Sequence, residues 1–220
     1  MIQKTYHFLS PEVLFGSKSP DVLADDFRFI FPVVGPLSKE EFCKAFGSFQ
    51  TEKAFPLDDG DSSSNYFGFN VDPTEPNRVW YFSRAKFVHK GKLVYIGPFK
   101  MSKNTFYLFH FLYFFSGVLQ FGKMKIEPSY KTIDITPQVF SVSFDKEGKV
   151  YKFTGGYPVD RSAGNCGGLG GLFGIIQNIK PNVLPFPEGR PWKPSMEWDI
   201  FVKRMPQIAE EWNSVLESFK

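Results

Sequence analysis

Hydrophobic and polar positions along the chain fall into short runs of two kinds. "FRFIF" (27–31) has the composition of a strand, and Pro32, Gly35 and Pro36 end it. In "PLSKEEFCKAFGSF", Leu37, Phe42, Ala45 and Phe46 approximate one apolar stripe. Ser38 followed by Glu41 has capping-box spacing, so a helix is predicted to start there and stop near Gly47. Residues 1–24 read as one or two short helices or turns. After a polar loop at 56–65 come "YFGFNV", a tight turn "DPTEPN" and the alternating run "RVWYFSRAKFVHKGKLVYIG". That run predicts two antiparallel strands turning at Lys90-Gly91-Lys92. "QVFSVSFDKEGKVYKFTGGYPVD" predicts a second hairpin, turning at 145–148. Alternation there puts Val139, Ser141 and Ser143 on one face and Phe140, Val142 and Phe144 on the other. Residues 185–194 are proline-rich and extended, and "MPQIAEEWNSVLESF" is an amphipathic terminal helix with Pro206 in its first turn.

This order predicts an α+β fold, a strongly curved antiparallel sheet forming a cone closed by helices. Such a sheet encloses a pocket between its concave face and the helices. Composition sharpens that picture. The chain has 220 residues, enough for a real core, and 27 of them are phenylalanine. Each buried ring contributes roughly 1.5–3 kcal/mol, so core and cavity wall are both expected to be built of rings. A net charge of +3, spread along the chain, is too weak to imply nucleic acid or an anionic membrane as partner. Cys43 and Cys166 lie far apart without metal-ligand spacing, so neither zinc nor a disulfide framework is expected, and a reducing compartment is the simplest inference. No targeting peptide is visible at the start of the chain.

The stretch "DRSAGNCGGLGGLFG" (160–174) poses the main chemical question. A dinucleotide fingerprint fails because Gly168 and Gly170 are followed by Phe173, and a phosphate loop fails because no Gly-Lys-Ser/Thr follows. What remains is backbone able to approach another element closely, or to offer N–H groups to an anion, with packing the better account. Cys166, beside Asn165 and near Arg161, has neighbours that lower a thiol pKa, but no histidine is close in sequence. His89 reads as a solvated strand-end residue, and Trp192 and Trp198 as packing for the tail.

The run "LADDFRFIFPVVGPLSKEEFCKAF" resembles the nuclear-transport-factor-2-like superfamily, also called SnoaL-like or cone-fold. "DPTEPNRVWYFSRAKFVHKGKL" and "VFSVSFDKEGKVYKFTGGYPVDR" resemble that fold's long strand pairs. The resemblance implies a cone domain over 1–160 and an extension over 161–220 of a kind carried by a plant- and alga-type branch. It also implies acid–base chemistry by side chains pointing into the cone, with Asp26 as base and Tyr66 or Arg84 polarising a carbonyl. Trp80, Phe82, Tyr157, Asp160, Arg161 and Asn165 are the expected ligand-binding residues. Asp26 equally fits a backbone cap, and Arg84 an ion pair with Asp160. The expected function is binding of a small hydrophobic molecule in an aromatic-lined cavity, homodimerisation, or both. The alternative is a cofactor-independent lyase, isomerase or hydrolase acting on an apolar oxygenated metabolite. No metal, cofactor or nucleic acid is expected, membrane contact is disfavoured, and the expected location is inside the cell, in cytoplasm or plastid. "SKNTFYLFHFLYFFSGVLQFGK" (102–123) interrupts the pattern. It reads as a packed helix or hairpin, as a membrane contact, or as a retained in-frame intron over 102–116. The intron reading arises because Ser102-Lys103 fits a splice donor and Phe115-Ser116-Gly117 an acceptor.

Overall fold

A computed structural model describes residues 1–32, 34–47, 51–57, 60–97 and 122–181, with 203, 204, 206 and 210. Most of the Phe-rich insert, the proline-rich stretch with Trp192 and Trp198, and nearly all of the terminal helix predicted at 205–219 lie outside the described residues. Three helices precede or enter the sheet region: α1 (Ile2–Leu9), α2 (Lys39–Gly47) and the single turn α3 (Thr51–Ala54). The strands are β1 (Leu23–Phe31), β2 (Val34–Leu37), β3 (Ser63–Val71), β4 (Arg78–Val88), β5 (Leu93–Gly97), β6 (Gly122–Ile126), β7 (Thr132–Asp134), β8 (Gln138–Phe144) and β9 (Val150–Pro158). Helix α4 (Gly171–Ile179) follows the glycine run.

Seven strands form one sheet in the order β2-β1-β9-β8-β4-β3, with β7 pairing the far end of β4. All neighbours are antiparallel except β1 and β9, which run parallel, so the sheet is mixed. The curled sheet and the helices against it make an α+β cone. In β9 the register against β8 shifts beside Gly155. Gly155 has φ +137°, and a Cβ there would lie 2.5 Å from the Phe140 Cα. Only glycine lets the two strands close at that shift.

Local signals in the sequence account for several elements. Ser38 N–H donates to Glu41 Oε2 at 2.8 Å, and Glu41 N–H donates to Ser38 Oγ at 3.3 Å, which caps α2 reciprocally. The β8–β9 hairpin turns where predicted, with Asp145 Oδ1 accepting from Lys149 N–H at 2.8 Å and Gly148 at φ +84°. The predicted β4–β5 hairpin does not form. β4 pairs with β3, β7 and β8, whereas among the described residues β5 pairs with β6, in a separate two-stranded sheet. The N–H groups of Lys90 and Gly91 both donate to the Ala54 carbonyl at the end of α3. This long-range contact turns the chain out of the main sheet instead of folding it back.

The concave face is filled by rings. Phe153 meets Phe8, Phe15, Phe29, Phe31 and Phe140 at centroid distances of 5.3–6.1 Å. Tyr81 lies stacked between Phe69 and Phe140, 5.4 Å from each. A second core gathers Phe55, Ala85, Ile133, Ile135, Cys166, Ile175, Ile176 and Ile179, so the glycine run and α4 pack into the body.

Candidate functional site

Strand alternation sorts the expected site residues onto different surfaces. Tyr66 stands opposite Ser83, and Arg84 stands opposite Asn65, in the β3–β4 pair. Adjacent positions face opposite ways, so Tyr66 points into the cone and Arg84 out of it. Asp26 is exposed on β1 and lines a surface hollow with Asn77, Asp145, Glu147 and Tyr151. The expected base and its two polarising partners therefore do not converge on one point. That hollow, of about 610 Å³, and another of about 510 Å³ beside Asp25, Lys39 and Cys43 both open at the surface.

Inside the cone the polar side chains include the phenols of Tyr66 and Tyr81, with Ser83 and Gln138 on the same face. Burial raises the pKa of Tyr66, partly offset by a hydrogen bond with Ser64. Tyr81 is driven further up by complete burial and by the neighbouring Tyr66. The Tyr81 hydroxyl is enclosed and has no hydrogen-bond partner among the described residues. The buried hydroxyls of Ser10, Thr136 and Ser143 likewise lack a partner among the described residues.

Trp80, Phe82 and Tyr157, expected to line the cavity, lie on the outer face with Arg84. Phe82 pairs across with Val139, Val139 with Tyr157, and Trp80 with Ser141. This outer face has two halves. In one, Arg78 donates from Nε to Ser141 Oγ at 2.9 Å and from Nη1 to Glu75 Oε1 at 3.3 Å, and its guanidinium sits 4.1 Å from the Trp80 ring centroid. Lys152 Nζ stands 3.7 Å from Glu75, and Trp80 Nε1–H donates to Asp72 at 2.7 Å. The indole first, then the Thr74 backbone and hydroxyl, hold the Asp72 carboxyl well below the usual carboxylate range. In the other half Phe67 and Phe82 stack at 5.6 Å and are 50% and 36% exposed, and Tyr157 is 50% exposed.

Arg84 ends the outer face in an ion pair with Asp134, not Asp160, with Nη2 3.1 and 3.2 Å from the two carboxylate oxygens. Asp134 also contacts the glycine run. Its N–H donates to Asn165 Oδ1 at 2.8 Å, Asn165 Nδ2 donates to the Thr132 carbonyl at 3.0 Å, and Asn178 Nδ2 donates back to Asn165. Asp160 accepts from the Ser162 N–H and hydroxyl, which lower its pKa, and Arg161 Nε–H donates to the Gly168 carbonyl at 3.3 Å. A Cβ on Gly164, at φ +86°, would lie 2.4 Å from the Asp134 carbonyl. The glycine run is thus a close-packed clamp of the extension onto β7. Burial pushes the Cys166 thiol up to about 12, so it is protonated and unsuited to nucleophilic attack. Sequence reasoning missed Asp134, Asn178 and Phe67, none of which stands in a motif. It also placed His89 in solvent, whereas the ring is fully buried.

Among the described residues no group of three or more His, Cys, Asp or Glu side chains is placed to hold a metal ion, and no helix is long and apolar enough to cross a membrane. No family model and no curated protein matches the chain. Among solved structures it is similar to a protein from Jannaschia sp. CCS1 described as a SnoaL-like polyketide cyclase. The identity is 15%, with 81% of this chain and 90% of that chain covered and a TM-score of 0.44. LinA is similar at 11% identity over 74% of this chain and 83% of its own, TM-score 0.37. So is the hexachlorocyclohexane dehydrochlorinase LinA-type3 from Novosphingobium barchaimii LL02, at 11% over 70% and 82%, TM-score 0.32. These distant likenesses say nothing of what this chain binds or catalyses.

Proposed function

We propose that the chain is a binding module that works by pairing with a second copy of itself through the outer face of its sheet. The observation that carries this is the exposed Phe67–Phe82 stack with Tyr157 beside it on that face. Rings are enriched at the buried centres of protein interfaces. The charges flanking the rings are already partnered within the chain, Arg78 with Glu75 and Arg84 with Asp134. A partner therefore has to offer apolar surface, and the same patch on a second copy does so under twofold symmetry. Sedimentation equilibrium of the full chain tests this. The wild type is expected to be dimeric at micromolar concentration and Phe67→Ser/Phe82→Ser monomeric, with the far-UV spectrum unchanged. A monomeric wild type overturns the reading.

A second reading, binding of a compact apolar molecule inside the cone, is favoured by the unpartnered Tyr81 hydroxyl beside Tyr66. A ligand carrying one hydrogen-bond acceptor would satisfy it. Mass spectrometry of small molecules released from the purified protein tests this, with Tyr81→Phe expected to lose what the wild type carries. An empty wild type sinks it.

A further inference from the structure

His89 follows β4, where three stretches of chain meet. Its ring is fully buried and lies 5.4 Å from the Phe55 ring. Nδ1 accepts from the Ser129 backbone N–H at 3.1 Å and lies 3.0 Å from the Ser129 hydroxyl. An accepting Nδ1 fixes the neutral tautomer with its proton on Nε2. Nε2 is buried without a full hydrogen bond, and the Gly91 backbone only partly compensates it. The backbone joins the same two segments: His89 N–H donates to the Lys131 carbonyl at 3.1 Å, and Tyr130 N–H donates to the His89 carbonyl at 3.0 Å. Between these bonds Tyr130 sits at φ +54° with its ring 72% exposed. That left-handed conformation is costly for an aromatic residue and persists only where surrounding contacts impose it.

We propose that His89 is an acid-sensitive latch: neutral, it holds the Ser129–Lys131 turn against the end of β4, and protonated, it releases that turn. When Nδ1 gains a proton it becomes a donor. The Ser129 hydroxyl can rotate to accept from it, but the Ser129 backbone N–H cannot, and a buried donor loses its partner. The left-handed Tyr130 then has less to hold it. The charged groups around the site do not offset this. Asp61 is paired with Lys90 at 2.6 Å, Glu127 with Lys92 at 2.6 Å, and Lys131 Nζ donates to the Asn178 carbonyl at 3.1 Å. Among the described residues no carboxylate bonds the ring. Burial lowers the pKa of His89 in the folded chain, with the Gly91 backbone opposing it. The latch is therefore fully closed above the unfolded histidine value of about 6.5 and weakens as pH falls through and below it.

Hydrogen exchange of the full chain between pH 7.5 and 5, corrected for intrinsic rates, tests the latch. The opening constant of residues 127–131 is expected to rise by up to tenfold per pH unit as the pH falls below the unfolded value of about 6.5, as uptake of one proton requires, and to level off below the folded value. β8 and β9 serve as the internal control and should not follow. In His89→Phe, which keeps the ring contact with Phe55, opening of the turn should be independent of pH. Equal opening of the wild-type turn at both ends of the range, or a slope retained in His89→Phe, overturns the proposal. If His89→Phe does not fold, an NMR titration of the wild type decides. A His89 midpoint below the unfolded value of about 6.5, with opening that sets in at that value and levels off at the midpoint, supports the latch; a His89 midpoint at the unfolded value overturns it.

Discussion

The two faces of the main sheet are built from the same residue types and do different things with them. On the concave face Phe153, Phe140 and Tyr81 are enclosed by other rings on nearly every side. On the convex face Phe67, Phe82 and Tyr157 are covered on one side only. Beside those outer rings, toward the β3–β4 turn, lies a lattice of Asp72, Glu75, Arg78, Trp80 and Lys152, whose polar groups bond one another. An aromatic count therefore reports two separate quantities: the rings that hold the fold together and the rings left over for a partner.

Substitutions can break that division. Phe153→Ala removes the ring at the centre of the concave face, and about 3–5 kcal/mol of stability should be lost in urea denaturation. A loss under about 1 kcal/mol would mean that the interior is loosely packed. Arg78→Ala should cost about 1–2 kcal/mol, since it removes a guanidinium bonded to Ser141 and Glu75 and resting on Trp80. Asp72→Asn should lower stability at neutral pH and flatten its acid limb. The wild-type carboxylate is held down in the folded chain, so its contribution is complete above the unfolded value of about 4 and lost as pH falls below it. An unchanged acid limb would show that the Trp80 hydrogen bond does not persist in solution. Phe82→Ala should be the mildest, within about 0.5 kcal/mol for the isolated chain measured by urea denaturation under monomeric conditions. A cost as large as that of Phe153→Ala would erase the distinction between the faces.

The sequence showed which residues share a face and not which face is inside. Alternation correctly grouped Val139 with Ser141 and Phe140 with Val142, and the register of β8 against β4 keeps those sets apart. In β4, Trp80, Phe82 and Arg84 share the opposite face from Tyr81. Both faces contain rings, so hydrophobicity alone could not assign them to core or solvent, and Trp80, Phe82 and Tyr157, expected in the cavity, are found on the convex side. Elements fixed by neighbouring residues, such as the Ser38–Glu41 cap and the Asp145–Gly148 turn, were legible. Those fixed by distant ones were not. Lys90 and Gly91 look like a hairpin turn until Ala54 arrives to accept their N–H groups. His89 looks solvated until Phe55 and Ser129 enclose it.

The pairing of β5 with β6 runs without a break from Leu93↔Ile126 to Gly97↔Gly122. Partners across such a ladder stand about 5 Å apart, so the chain departs and returns through a single doorway. Whatever genetic event sets the number of codons between those two glycines, the register of the ribbon does not have to be renegotiated. That makes this doorway a natural port for grafting a tag or a reporter, and a place where a lineage can gain or shed sequence at little cost to the rest of the molecule.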